Sequence, residues 1–188
     1  MLELILARHG QSHGNLDRSL GPDTDLTDLG RAQATRLGHW LAAPEQGHAF
    51  TACYCSTLRR ARQTAAIVNA HFKLDITFER DLREAEAHYE HPQRAAPLAP
   101  DPPPPFDPDY EAMCERVTRA TARILAENTE GQVLVVAHAG TLGTMLRCIL
   151  GAHALLLGTE LTGTHCLRWR DGLWVLRYTN RQEHLIGL

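Results

Sequence analysis

Apolar residues in this chain fall into short continuous runs and longer stretches of helical period. Leu2–Ala7 is a compact apolar run that stops at Arg8-His9-Gly10. It predicts a buried strand ending in a functional loop. Thr27 is placed to N-cap a helix whose apolar face carries Leu29, Gln33, Leu37, Trp40 and Leu41, with Pro44 just past its end. Thr51–Cys55 predicts a second strand, and Leu58, Ala61, Ala65 and Val68 a second helix. Leu74–Phe78 alternates and predicts another short strand. Tyr110, Met113, Cys114, Val117, Thr121, Ile124 and Leu125 mark a long amphipathic helix. Val133–Ala137 is apolar without a break, as a strand covered on both faces must be. It stops at His138-Ala139-Gly140, before a helical stretch Thr141–Leu150. Cys166–Trp169 and Leu173–Tyr178 flank Asp171-Gly172, a turn pair that favours a hairpin.

Eight of the chain's ten prolines lie between His91 and Pro108. Proline fixes φ and lacks a donor, so 91–108 reads as an extended surface loop of polyproline II character. A flap over the active site is its functional reading. Elsewhere strands and helices alternate. The pattern predicts one α/β domain over 1–188, a three-layer α/β/α sandwich with a mostly parallel central sheet.

Composition narrows the function. A net charge of -3 supplies no basic field for nucleic acid or an anionic membrane. No apolar run approaches the roughly 20 residues of a membrane span, and the apolar start is too short for a signal peptide. The five cysteines, Cys53, Cys55, Cys114, Cys148 and Cys166, include no Cys-x-x-Cys pair. They read as reduced thiols of a cytoplasmic protein rather than a disulfide framework or zinc site. No His-Glu-x-x-His or comparable spacing marks a metallohydrolase, so no metal ligands are assigned.

The chemistry concentrates in four pieces: Arg8-His9-Gly10, the run Ser56–Ala61 with Arg60, Leu82-Arg83-Glu84, and His138-Ala139-Gly140. A phosphoryl group needs cationic donors around its oxygens, an in-line nucleophile, and an acid beside the leaving group. These pieces offer two histidines, arginines and a carboxylate. His9 and His138 each follow an apolar strand, and in open α/β sheets ligand sites lie beyond the carboxyl ends of strands. The two therefore belong in one crevice.

These motifs resemble those of the histidine phosphatase superfamily, branch 1, the phosphoglycerate mutase-like group. Arg8-His9-Gly10-Gln11-Ser12-His13-Gly14-Asn15 is similar to its Arg-His-Gly-Glu-Ser/Thr-x-x-Asn. Leu26-Thr27-x-x-Gly30-x-x-Gln33-Ala34 and Ser56–Ala65 match its next two patterns, and Leu82-Arg83-Glu84, Val135–Gly140, Asn180 and His184-Leu185 follow in order. The resemblance implies a phosphoglycerate mutase-like fold and no cofactor. It implies His9 as the phosphorylated nucleophile, Arg8, Arg60 and His138 as the phosphate pocket, and Glu84 as the proton donor. Gln11, Asn15 and Ala139 are further substrate contacts. Gln11 replaces the usual Glu, Glu86 is a rival donor, and Asp107-Pro108-Asp109-Tyr110 stands where an acidic pocket motif is frequent.

The implied activity is hydrolysis of a small phosphorylated metabolite through phosphohistidine. The ring nitrogen of His9 that does not attack should donate to a backbone carbonyl, and neighbouring arginines should keep the ring neutral. The alternatives are a phosphoglycerate mutase and a non-catalytic phosphate-binding interaction protein. The short chain favours the phosphatase, since mutases of the group carry longer insertions over the site. The expected partner is a small phosphorylated substrate. The oligomeric state is left open, with a dimer compatible.

Overall fold

The computed structural model describes residues 1–85 and 108–188. All but the last residue of the proline-rich segment 91–108, and Glu86 with it, lie outside the described residues. Pro108 is the first residue of a helix, a position where the missing N–H is no loss.

Six strands form one sheet: β1 (Leu2–Arg8), β2 (Phe50–Ser56), β3 (Ile76–Glu79), β4 (Gly131–Ala137), β5 (Thr164–Arg170) and β6 (Leu173–Arg181). Their order is β3-β2-β4-β1-β5-β6. The four strands from β3 to β1 run parallel, while β5 and β6 are antiparallel additions. The helices are a short α1 (His13–Leu16), α2 (Asp28–Ala42), α3 (Arg59–Asn69), α4 (Pro108–Glu127) and α5 (Ala139–Leu150).

Strand alternation sorts the core into two clusters. Leu2, Leu4 and Leu6 of β1 join Val133, Val135 and Ala137 of β4 beneath Met113, Val117 and Ile124 of α4 and Leu142 and Met145 of α5. Ile5, Ala7, Leu134 and Val136 point the other way, onto Leu37 and Leu41 of α2 and Ala61, Ala65 and Val68 of α3. The sheet is thus the middle of three layers. Both central strands are apolar at consecutive positions because both faces are covered.

Some local details depart from the sequence pattern. Leu29 is 43% exposed, because Gly30 takes the inward place in the first turn of α2. A Cβ on Gly30 would lie 1.9 Å from the Gln11 carbonyl oxygen. Only glycine lets the loop after β1 approach this closely. The strand placed at Leu74–Phe78 begins at Ile76. Leu74 belongs to the preceding turn, where the Asn69 side chain bonds both its N–H and its C=O, and Lys73 adopts φ 57°. Thr27 caps α2 as expected, its hydroxyl accepting from Gly30 N at 3.0 Å. Asp171 and Gly172 both have positive φ, the backbone of the expected tight hairpin.

This topology fixes one crevice. The chain leaves β1 toward β2 on one side and leaves β4 toward β5 on the other. Neighbouring parallel strands with diverging connections form a switch point beyond their carboxyl ends. The register pairs Arg8 with Ala137, so His9 and His138 are the next residues out on adjacent strands.

Candidate active site

The two histidine rings lie 5.0 Å apart, centroid to centroid, with a 58° interplanar angle. His9 is 2% exposed and His138 is fully buried. The His9 backbone N–H donates to the Ala137 carbonyl at 3.0 Å, which locks the two strand ends together.

The His9 ring has a defined tautomer. Its Nδ1 lies 2.7 Å from the Gly10 carbonyl oxygen, which can only accept, so Nδ1 carries the proton. Its Nε2 accepts from Arg60 Nε at 3.0 Å, so the Nε2 lone pair faces the guanidinium. Burial first, then the positive charges of Arg60 and Arg8, hold the ring well below the usual histidine range. A neutral imidazole with its lone pair among cations is a competent nucleophile toward an anionic ester.

His138 is fixed through Ser56. The Ser56 hydroxyl accepts from Leu58 N at 3.3 Å and sits 2.7 Å from His138 Nε2. Ser56 can satisfy both contacts by donating its proton to Nε2. That leaves the proton of His138 on Nδ1, which is buried with no partner among the described residues. An unpaired buried donor of this kind costs stability unless a ligand accepts from it. Burial first, and then His9, Arg60 and Arg8, push His138 well below the usual range as well.

The arginines are held by backbone carbonyls. Arg60 is 9% exposed and donates through Nη1 to the Pro22 carbonyl. Arg8 donates through Nη1 to the Thr159 carbonyl at 2.6 Å, and its buried Nε has no partner among the described residues. Burial is the leading influence on both guanidinium groups, opposed by the negative charge of Glu84. Glu84 caps α5 from outside the helix. Its carboxylate accepts from Gly140 N at 3.0 Å, Thr141 N at 3.1 Å and the Thr141 hydroxyl at 3.2 Å. An anionic group there meets the positive end of the helix dipole.

The structure therefore brings Arg8, His9, Arg60, Glu84, His138 and Ala139 to one crevice. Two weaker candidates are turned elsewhere in part. Gln11 accepts from the Thr27 hydroxyl through Oε1 at 2.9 Å. Asn15 accepts from Ser12 N and Oγ through Oδ1, at 2.8 and 2.9 Å, which leaves its exposed Nδ2 as the group that can donate to a ligand.

Sequence reasoning missed the loop 159–163. Arg8 N–H donates to the Gly163 carbonyl at 3.1 Å, and Thr162 N–H to the His9 carbonyl at 3.3 Å. The closing motif residues support this loop from behind. Asn180 Oδ1 accepts from Glu160 N at 2.8 Å, and His184 Nε2 lies 3.0 Å from the Thr162 hydroxyl. Thr64, present in the motif without an assigned role, accepts from Gly10 N at 3.1 Å. Only the motif order of Thr64, Asn180 and His184 hinted at these contacts.

Fold and site together define an α/β protein whose switch-point crevice gathers two buried histidines, two arginines and a carboxylate. The chain belongs to the histidine phosphatase superfamily, branch 1, whose family model matches residues 4–182. It is 26% identical over 195 residues to the Bacillus subtilis protein named uncharacterized phosphatase PhoE, covering 100% of this chain and 98% of that one. It is 41% identical over 91 residues to 2,3-bisphosphoglycerate-dependent phosphoglycerate mutase 1 of Nitrosomonas europaea, a match of 47% of this chain and only 38% of the mutase. Its fold is similar to that of Entamoeba histolytica phosphoserine phosphatase in complex with 3-phosphoglyceric acid, with a TM-score of 0.76 at 23% identity over 98% of this chain and 100% of that one. Among the described residues, no helix is long and apolar enough to cross a membrane.

Proposed function

We propose that residues 1–188 act as one metal-independent phosphatase domain that hydrolyses small phosphomonoesters in the cytoplasm through a phosphohistidine on His9. The observation that carries this reading is the neutral, buried His9 ring, with its Nε2 lone pair 3.0 Å from Arg60 Nε and its Nδ1 proton tied to Gly10. An incoming phosphate takes over the Arg60 donor and frees that lone pair. Arg8, Arg60 and the Nδ1 proton of His138 hold the equatorial oxygens. Nε2 attacks phosphorus as the ester P–O bond breaks, and Glu84, which must enter this step protonated beside the bound ester dianion, gives that proton to the leaving oxygen. Water then yields a proton to Glu84 and attacks the phosphohistidine, which releases inorganic phosphate and restores His9. Membership of the family and the full-length similarity to a protein named a phosphatase support this reading.

A cleft of about 700 Å³ beside Glu84 is lined by Arg80, Arg83, Arg116 and Arg119 together with Asp81, Asp109 and Glu115. It favours organic groups that carry a charge, such as those of phosphoserine or phosphoglycerate. The five free cysteines fit a reducing compartment.

Incubation of the wild-type protein with p-nitrophenyl phosphate should give phosphate release that survives chelator. Intact-mass spectra under alkaline quench should show one added phosphoryl group. His9→Ala should lose both. Wild-type turnover in that variant would end the proposal. The mutase reading draws on the match to the Nitrosomonas europaea protein. Phosphoryl transfer to 3-phosphoglycerate faster than hydrolysis would favour it.

A further inference from the structure

The far end of α5 carries a second group of reactive side chains. From Ala139 to Cys148 the helix rises about 14 Å, so this group is remote from the histidine pair. Gly151 ends the helix in the left-handed region, at φ 63°, and the chain turns so that His153 faces α4. There Cys114 Sγ lies 4.0 Å from His153 Nδ1. The ligand atoms of Cys114, Cys148 and His153 all fall within 4.8 Å of one another. Cys114 is buried and the other two are half-buried, on the wall of a cavity of about 450 Å³.

We propose that Cys114, Cys148 and His153 form a binding site for a thiophilic divalent cation of the zinc class, which ties α4 to α5. Bonds of about 2.3 Å to sulfur and about 2.1 Å to nitrogen put tetrahedral ligands about 3.6 Å apart. The 4.0 Å pair is close to that already. The widest separation closes by about 1 Å, a rotamer adjustment for half-buried Cys148 and His153. Binding releases the two thiol protons and uses the imidazole as a neutral ligand. The Tyr110 hydroxyl lies 3.0 Å from His153 Nδ1 and accepts from Arg147 Nε at 2.9 Å, so its own proton is available to Nδ1. A cation takes the lone pair that this proton meets. Glu115 on the cavity wall supplies negative charge, while Arg119 is turned to Asp81 at 3.5 Å. Soft sulfur donors select zinc over oxygen-seeking magnesium. The other cysteines lie on β2 and β5, away from this helix pair.

The test uses the full chain, reduced and freed of metal, titrated with Co²⁺. One equivalent should produce thiolate-to-cobalt charge-transfer absorption and the visible bands of a tetrahedral site, both displaced by Zn²⁺. Cys148→Ser and His153→Gln, with folding checked by circular dichroism, should weaken binding at least tenfold, while Cys53→Ala should retain it. Absence of thiolate bands in the wild type would overturn the site, as would an undiminished cobalt affinity in Cys148→Ser. Mild oxidation that consumes two thiols in a protein without cobalt bands would overturn it too, and would mark the pair as redox-active instead.

Discussion

His165 makes acid stability a quantitative test of the loop behind Arg8. The residue is fully buried on β5. Its Nδ1 accepts from the Asn180 backbone N–H at 3.3 Å, so its proton sits on Nε2, 3.0 Å from the Thr159 hydroxyl. A second proton on Nδ1 would set N–H against N–H. Burial pushes the ring down to about 4 from its ordinary 6.5. As pH falls through 6.5 the unfolded chain binds this proton and the folded protein does not, so stability falls with pH. The slope is about 1.4 kcal/mol per pH unit, which gives about 2 kcal/mol lost at pH 5 and a plateau near 3.4 kcal/mol below pH 4. His165→Asn keeps an acceptor for Asn180 and removes the titration. Urea unfolding of both proteins at about pH 7.5 and pH 5 isolates the effect. The variant should be less stable at the higher pH, and the gap should narrow by about 2 kcal/mol at the lower one. His9, His138 and His184 are depressed in the same direction but contribute to both proteins and cancel. Stability curves that run parallel would refute the argument.

Ser56→Ala should free His138 Nε2 and leave its tautomer unfixed, lowering kcat/KM by about tenfold to a hundredfold, in line with the 1–3 kcal/mol of a lost buried partner. Steady-state kinetics beside a thermal melt would separate this from general destabilisation. An unchanged kcat/KM would remove Ser56 from the site's support. Glu84→Gln should slow hydrolysis of alkyl phosphates far more than of p-nitrophenyl phosphate, whose leaving group needs no acid. Equal losses on both substrates would point to the helix-capping contacts of Glu84 rather than to proton donation.

Much of the fold was legible because its causes are local. Continuous apolar runs at Leu2–Ala7 and Val133–Ala137 could only be satisfied by strands covered on both faces, and those strands are the centre of the sheet. Helical period located α2 to α5, Thr27 capped where a threonine should, and Asp171-Gly172 turned as its backbone preference demands. The histidine after each central strand was readable for the same reason. Parallel strands aligned by their apolar cores must present their next residues at a common edge.

What the tertiary structure alone decided are the contacts between groups far apart in sequence. No local pattern could show that Ser56 orients His138, that Thr159 and Thr162 brace Arg8 and His9, or that the Gln11 side chain turns to Thr27. Hydrogen bonds of that kind depend on where two independently formed elements come to rest. The cysteines make the contrast plainest. Spacing along the chain gave them no joint role, yet packing α4 on α5 sets Cys114 and Cys148 beside His153, because a helix pair brings together side chains by face and not by number.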